Sequence, residues 1–329
     1  MKKIIVYLAL TLLGFACTTT TQREDLIPLE MTMKNLKDNG ITKVIISDFE
    51  YEFGVPQRIG KKIKEVTFND KYLITESVLF KDGIIDGRIV YSYNLNGDTL
   101  VVKKFNELEF ELSRTEYVYN ATGKIVEKKY FDEGIMFRND AIDYDANGLK
   151  TEFKHFEKNK LDYVVKYVYD TENREVEWMR YNAEGIPEQK GTSEYNDKGW
   201  KTDSVYYFSG VVDIKVKCEY DAAGRLTLQT IYTGDGSLFS KTEYKYNHTG
   251  LMTEKNLYDH QNVIVKRYEY EYEKDGQYKQ IKVYKEGGFI DEFWRFKYGY
   301  NFLPKHQEFL NNIEVPKKVR RYSYEPEQN

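Results

Sequence analysis

Apolar and charged residues alternate strictly through Val212-Asp213-Ile214-Lys215-Val216-Lys217-Cys218-Glu219-Tyr220. A period of two puts every second side chain on one dry face, which predicts a β-strand. Residues 240–246 and 267–272 repeat the pattern. Return segments such as 149–156 alternate less cleanly and predict strands without fixing their facing.

Turn signals punctuate these strands at a fixed interval. The pattern aromatic-x-Tyr-[Asp/Asn]-x-x-Gly ends at Gly97, Gly123 and Gly250, with variants between. Its anchoring tyrosines, at 93, 119, 144, 169, 195, 220, 246 and 272, are spaced 26, 25, 25, 26, 25, 26 and 26. Asp or Asn opening such a turn hydrogen-bonds the backbone two residues on, and glycine supplies positive φ. A second turn carries Phe80, Phe105, Phe131, Phe156, Tyr181, Tyr207, Tyr232, Tyr258 and Tyr284, each 12 residues after the preceding anchor, counting from Phe68. The return leg takes 13 or 14 residues. A chain running up and down a sheet has this layout.

The repeat over 68–300 therefore predicts an all-β fold, a long, twisted or curled antiparallel β-meander of tandem hairpin repeats with about 18 strands. Open sheets of more than roughly ten strands curl or split, and curling turns the tyrosine face inward. Proline agrees: only Pro187 falls inside the regular array, just beyond the Gly185 turn. Residues 29–67 read as an N-terminal capping region. A short helix over 29–36, stopped by Asn39-Gly40, precedes one or two strands in 41–53. Residues 301–329 read as a capping hairpin and tail, because Tyr298, Tyr322 and Tyr324 echo the anchor with altered spacing.

Before the array, Lys2 and Lys3 precede the uncharged apolar run Ile4 to Phe15. That run is shorter than the ~20 residues of a membrane span and reads as a signal peptide, residues 1–16. Gly14-Phe15-Ala16-Cys17, followed by a polar tether (17–28), resembles the lipobox of bacterial lipoproteins, which implies a diacylglycerol on the Cys17 thiol. Gly14 and Ala16 also satisfy ordinary signal cleavage. A lipid anchor would place the chain in the cell envelope, at the outer membrane on either side of it.

Tyr220-Asp221-Ala222-Ala223-Gly224-Arg225-Leu226 matches the YD-repeat of the RHS family, with looser copies at 119–125 and 144–150. Half-repeat turns such as Tyr181-Asn182-Ala183-Glu184-Gly185 resemble MORN repeats. The resemblance implies a β-sheet body. The period is longer than in most YD-repeats, and nothing resembles the core segment and toxin of large RHS proteins.

Cleavage would remove Lys2 and Lys3, leaving 47 basic against 53 acidic residues, a net of −6. That balance argues against a nucleic-acid partner. The basic segment Lys317-Lys318-Val319-Arg320-Arg321 alternates as a solvated strand would.

Candidate chemistry is sparse. Four histidines, His155, His248, His260 and His306, form no metal-binding spacing, and no catalytic or phosphate-binding motif occurs. The chain is therefore read as non-enzymatic and without cofactor. Asp143-Tyr144-Asp145-Ala146-Asn147-Gly148 imitates the start of an EF-hand, but Lys154 stands where a bidentate Glu is required. The sequons at Asn120 and Asn247 coincide with repeat turns. Cys218 falls in the aromatic column and reads as a packed sheet residue.

That column, Tyr91, Tyr117, Tyr167, Tyr244 and Tyr270, is the candidate binding face. Its rings either pack across strands or present flat faces to sugars. The functional expectation is a lipid-anchored envelope scaffold for a protein or polysaccharide partner. The alternative is a toxin-associated or immunity-type protein.

Overall fold

The computed structural model describes residues 29–299 and 301–325. The signal segment, Cys17 and the tether lie outside the described residues. Helix α1 (Leu29–Asp38) ends where the sequence places its stop. Gly40 takes φ 64°, its N–H donates to Lys37 O, and the Ile41 N–H donates to Leu36 O at 2.9 Å. Only glycine or a similarly tolerant residue closes a helix this way.

Strands follow, each antiparallel to its neighbour in the chain, and 22 of them build one continuous wall. A two-residue strand, Val55–Pro56, pairs only with the tip of the first. The first strand, Lys43–Glu52, pairs on one side with Lys61–Phe68. On its other side it pairs with the last strand, Pro316–Glu325, through eight consecutive positions from Lys43↔Glu325 to Glu50↔Lys318. The wall is thus a closed antiparallel barrel.

Closure corrects the expected open or curled meander. Tyr298 and Tyr324 stand 26 and 52 residues after Tyr272, in step with the repeat. The C-terminal hairpin is a regular unit whose free edge meets the first strand. Eleven units, from Phe68 to Tyr324, supply two strands each, so no edge is left to cap. At the seam Arg320 Nε donates to Asp48 Oδ1 at 2.8 Å, Nη2 to Oδ2 at 3.1 Å, and Lys318 adds a contact at 3.1 Å. Burial alone would raise the Asp48 carboxyl. The hydrogen bonds and charges of Arg320 and Lys318 outweigh it and hold the carboxyl below its ordinary value.

The conserved spacing within the chain has a mechanical reason. Each anchor tyrosine reaches across to the neighbouring strand and donates its hydroxyl to a backbone carbonyl 19 or 20 residues earlier. The series runs from Tyr93→Ile74 through Tyr220→Lys201 to Tyr324→Pro304, ten bonds in all. The acceptor lies at the start of the preceding return strand, so each tyrosine latches one hairpin to the one before it. The opening Asn or Asp fixes the turn: Asn94 Oδ1 accepts from the N–H groups of Asn96 and Asp98 at 2.9 Å each. Where the fourth position lacks glycine, Asn173 adopts φ 63° in its place.

Residues directly opposite in a ladder share a face. Tyr167↔Trp178↔Gly191↔Tyr206↔Ile214 therefore run along one face of five successive strands. Trp178 lies over Gly191, where an added Cβ would collide with its Nε1. A closed ring crowds the side chains of its concave side, so this more buried face is taken as its inside. Burial raises Tyr206 and Tyr244 to about 12 on it, whereas the opposite face exposes Lys215, Lys217 and Glu219.

Strands about 4.8 Å apart and tilted about 40° give 22 of them a ring of roughly 20 Å radius, if circular. No common core spans such a ring. The three apolar clusters are each local: one around Ile214, Val216 and Ile231, one around Ile281 and Val283, and one where α1 buries Leu36 against Val44, Val66 and Leu303.

Candidate functional site

The five candidate tyrosines all lie on the inner face, each half-buried. They sit opposite Val102, Lys128, Trp178, Lys255 and Ile281 respectively. The structure spreads them around the circumference, one repeat or more apart, and brings no two into a common pocket except through neighbours. Tyr244 packs on the Ile214–Val216 cluster, and Tyr270 stacks on Tyr268 with centroids 6.3 Å apart. Burial raises Tyr91 and Tyr167 as well. Cys218, in the same column, is 4% exposed inside the cluster.

Cations are laid against these rings. Lys150 Nζ lies 4.0 Å from the Tyr167 centroid, Lys128 Nζ 5.8 Å from Tyr117, and Arg180 4.0 Å from Tyr163. Such contacts are worth about 0.5–1 kcal/mol where solvent reaches them. Burial pushes the ammonium groups of Lys150 and Lys201 down, with Glu175 on the strand between them offsetting part of that effect.

A polar cluster that the sequence did not single out interrupts the wall. Asp140 and His155 are directly paired and both buried, with Nδ1 and Oδ1 2.7 Å apart. His155 Nε2 lies 3.1 Å from Glu157, its ring stacks on Tyr163 at 4.7 Å, and Arg138 clamps Asp140 through two bonds. Burial, with the Asp140 charge beside it, pushes the Tyr130 hydroxyl up to about 12. Every polar group faces another within the cluster. It supplies no nucleophile beside the imidazole and satisfies buried charge in the wall.

The EF-hand imitation resolves into turn chemistry. Asp145 Oδ1 accepts from the Leu149 N–H at 2.8 Å, and Asp143 pairs with Lys154 at 2.9 Å. Asn120 and Asn247 likewise use their side chains inside their own turns.

The outer face is a different surface. Its lysines meet carboxylates, as in Lys103–Glu111, Lys129–Glu127, Lys190–Glu177 and Lys241–Glu243 at 2.6–3.1 Å. Its aromatics are covered by cations, such as Arg88 over Phe105, Arg114 over Phe131 and Lys241 over Tyr258. The rims differ too. Of 24 exposed large apolar residues among the described residues, 19 lie in or beside the second-turn rim, including Phe53, Ile84, Phe110, Ile135, Val211 and Phe289. The other five, Leu95, Leu100, Val118, Val168 and Phe302, lie in or beside the tyrosine-turn rim.

A family model described only as an uncharacterised protein matches residues 211–293, and no curated protein matches the chain. Among solved structures, the TcdB2-TccC3-Cdc42 complex aligns at 13% identity and TM-score 0.39, covering 87% of this chain. The chain spans about a fifth of the length of that protein, 19%. A porin-like protein from Bacteroides uniformis aligns at 9% identity and TM-score 0.27, covering 87% of this chain and 96% of the other. A porin-like protein from Bacteroides vulgatus aligns at 14% and 0.23, covering 72% and 99%. At these scores the likenesses carry no functional argument.

Proposed function

We propose that this protein is a lipid-anchored, non-enzymatic scaffold of the cell envelope, whose closed barrel offers its inner wall to a polysaccharide or protein partner. The observation that carries the reading is the wall itself. It is a wide ring whose inner face repeats a tyrosine in unit after unit, beside lysines that form no direct ion pair, with Glu175 acting on Lys150 and Lys201 only at longer range. Binding surfaces for flexible polymers need such repetition more than they need a pocket.

The barrel body stands in water on this reading. A lipid-embedded barrel shows an unbroken apolar band outside. Here the outer face carries the Lys–Glu ladder and the inner face carries Lys104, Lys128 and Asp140, so neither face meets that requirement. Attachment then falls to the N-terminus and Cys17. The apolar rim supports a surface that meets something other than bulk water, since contiguous exposed apolar area of this kind marks contacts.

Fatty-acid labelling in the native host tests the anchor. The wild type is expected to take label and partition with membranes, and Cys17→Ser to do neither. Acylation of Cys17 and a disulfide to Cys218 exclude each other chemically. An unlabelled wild type whose mobility shifts on reduction would overturn the anchor.

A further inference from the structure

Charge is segregated across this wall. The chain is net negative, and many outer lysines lie against carboxylates, yet Lys64, Lys104, Lys128, Lys150 and Lys201 on the inner face have no carboxylate within 4 Å among the described residues. Their facing follows from register: Lys64 is opposite Ile46, Lys104 opposite Ile89, Lys128 opposite Tyr117, Lys150 opposite Tyr144, and Lys201 opposite Tyr195. Two inner carboxylates are taken up, Asp48 by Arg320 and Lys318 and Asp140 by Arg138 and His155, while Glu175 stands between Lys150 and Lys201 without a direct ion pair to either. Burial disfavours the charge on Lys150 and Lys201 and Glu175 offsets only part of that effect, so an incoming anion would relieve the remainder.

We infer that the lumen binds an acidic polysaccharide. This rests on the scaffold reading and names its ligand class. Lys104, Lys128 and Lys150 occur on every second strand, roughly 10 Å apart around the ring, and Lys201 follows Lys150 four strands on, about 20 Å away. Tyrosine rings stand between and beneath them, Tyr117 under Lys128 and Tyr167 under Lys150. A uronic-acid polymer satisfies both elements at once: its carboxylates meet the ammonium groups and its ring faces lie on the tyrosines. A lumen of this radius admits a polymer chain, and the many equivalent units suit a repeating ligand. Nucleic acid offers anions too. Its flat faces are bases and not sugar rings, and its charge sits on phosphodiesters, so single-stranded DNA is the comparator that separates the two polymers.

The test uses the full chain with Cys17→Ser and polygalacturonate as probe, with dextran, polyglutamate and single-stranded DNA as comparators. Polygalacturonate is expected to bind, with affinity falling steeply as salt rises, because association releases counterions. Replacing Lys104, Lys128, Lys150 and Lys201 together by Gln is expected to weaken binding by about tenfold or more. Replacing the outer Lys103, Lys129, Lys154 and Lys190 by Gln changes net charge equally and is expected to leave affinity within about twofold. Melts of both variants check that the barrel still forms. Equal loss from the outer set, or tighter binding of DNA or polyglutamate, would overturn the inference. Dextran binding as well as polygalacturonate would overturn the anionic class and leave the scaffold reading standing. Binding of no probe would overturn the inference and return the scaffold reading to a protein partner captured from envelope extracts.

Discussion

Deleting residues 221–232 is expected to abolish cooperative unfolding, while deleting 221–246 leaves a folded protein with a modest loss of stability. The longer deletion removes one strand pair and joins Tyr220 to Asn247, recreating the tyrosine–Asx turn that follows every anchor. Twenty strands then close antiparallel in a ring about a tenth smaller, and stability falls by one unit's nearest-neighbour terms. The shorter deletion removes one strand and one turn. It reverses every strand downstream, and an odd number of strands cannot close antiparallel. The latch from Tyr246 to Leu226 O is lost, and the last strand would meet the first running parallel. Urea melts followed by circular dichroism compare the two. Equal tolerance would show that the hairpin is not the folding unit.

The second large effect is expected at Tyr244. Its ring packs on the cluster of Ile214, Val216 and Ile231, and burial raises its hydroxyl to about 12. Tyr244→Ala removes that ring from a wall with no deeper core to compensate, and should cost roughly 2–4 kcal/mol. Tyr244→Phe keeps the ring and should cost less than about 1.5 kcal/mol, the scale of one net hydrogen bond. Paired melts and glycan-binding assays separate structure from recognition. Wild-type stability in the Ala variant, together with lost glycan binding, would make Tyr244 a contact residue with little role in packing.

Much of the wall was legible in the sequence because its rules are local. Alternation gave the strands, and Asx and Gly gave the turns. The tyrosine spacing gave the unit, whose physical basis is the hydroxyl latch to a carbonyl 19 or 20 residues back. Closure was not legible. It depends on pairing Val44 with Tyr324, and no local pattern joins residues so far apart. Reading Tyr298 and Tyr324 as out of step concealed the two units that complete the ring.

The candidate tyrosines share one face, as strand alternation requires, but nothing local says that they are spread around a circumference. The Asp140–His155 pair was missed for a related reason. Each residue stands alone in its strand, and only register brings them together. Inner and outer lysines look alike in sequence wherever the return strands fail to alternate cleanly. Lys103 and Lys104 are neighbours in the chain and face opposite sides of the wall.

Closure of the ring is the central claim, and a cross-link across the seam tests it most directly. Ile45 and Ser323 are opposed on the first and last strands, 278 positions apart in the chain. In a background of Cys17→Ser and Cys218→Ala, Ile45→Cys with Ser323→Cys should oxidise to an intramolecular disulfide in the native state, visible as a mobility shift that reduction reverses. Ile45→Cys with Val205→Cys places the second thiol across the ring and should give no cross-link. A closed barrel predicts the first result with intact, monomeric protein. Two freely reactive thiols at 45 and 323 in a folded protein would contradict closure and leave an open sheet with two free edges.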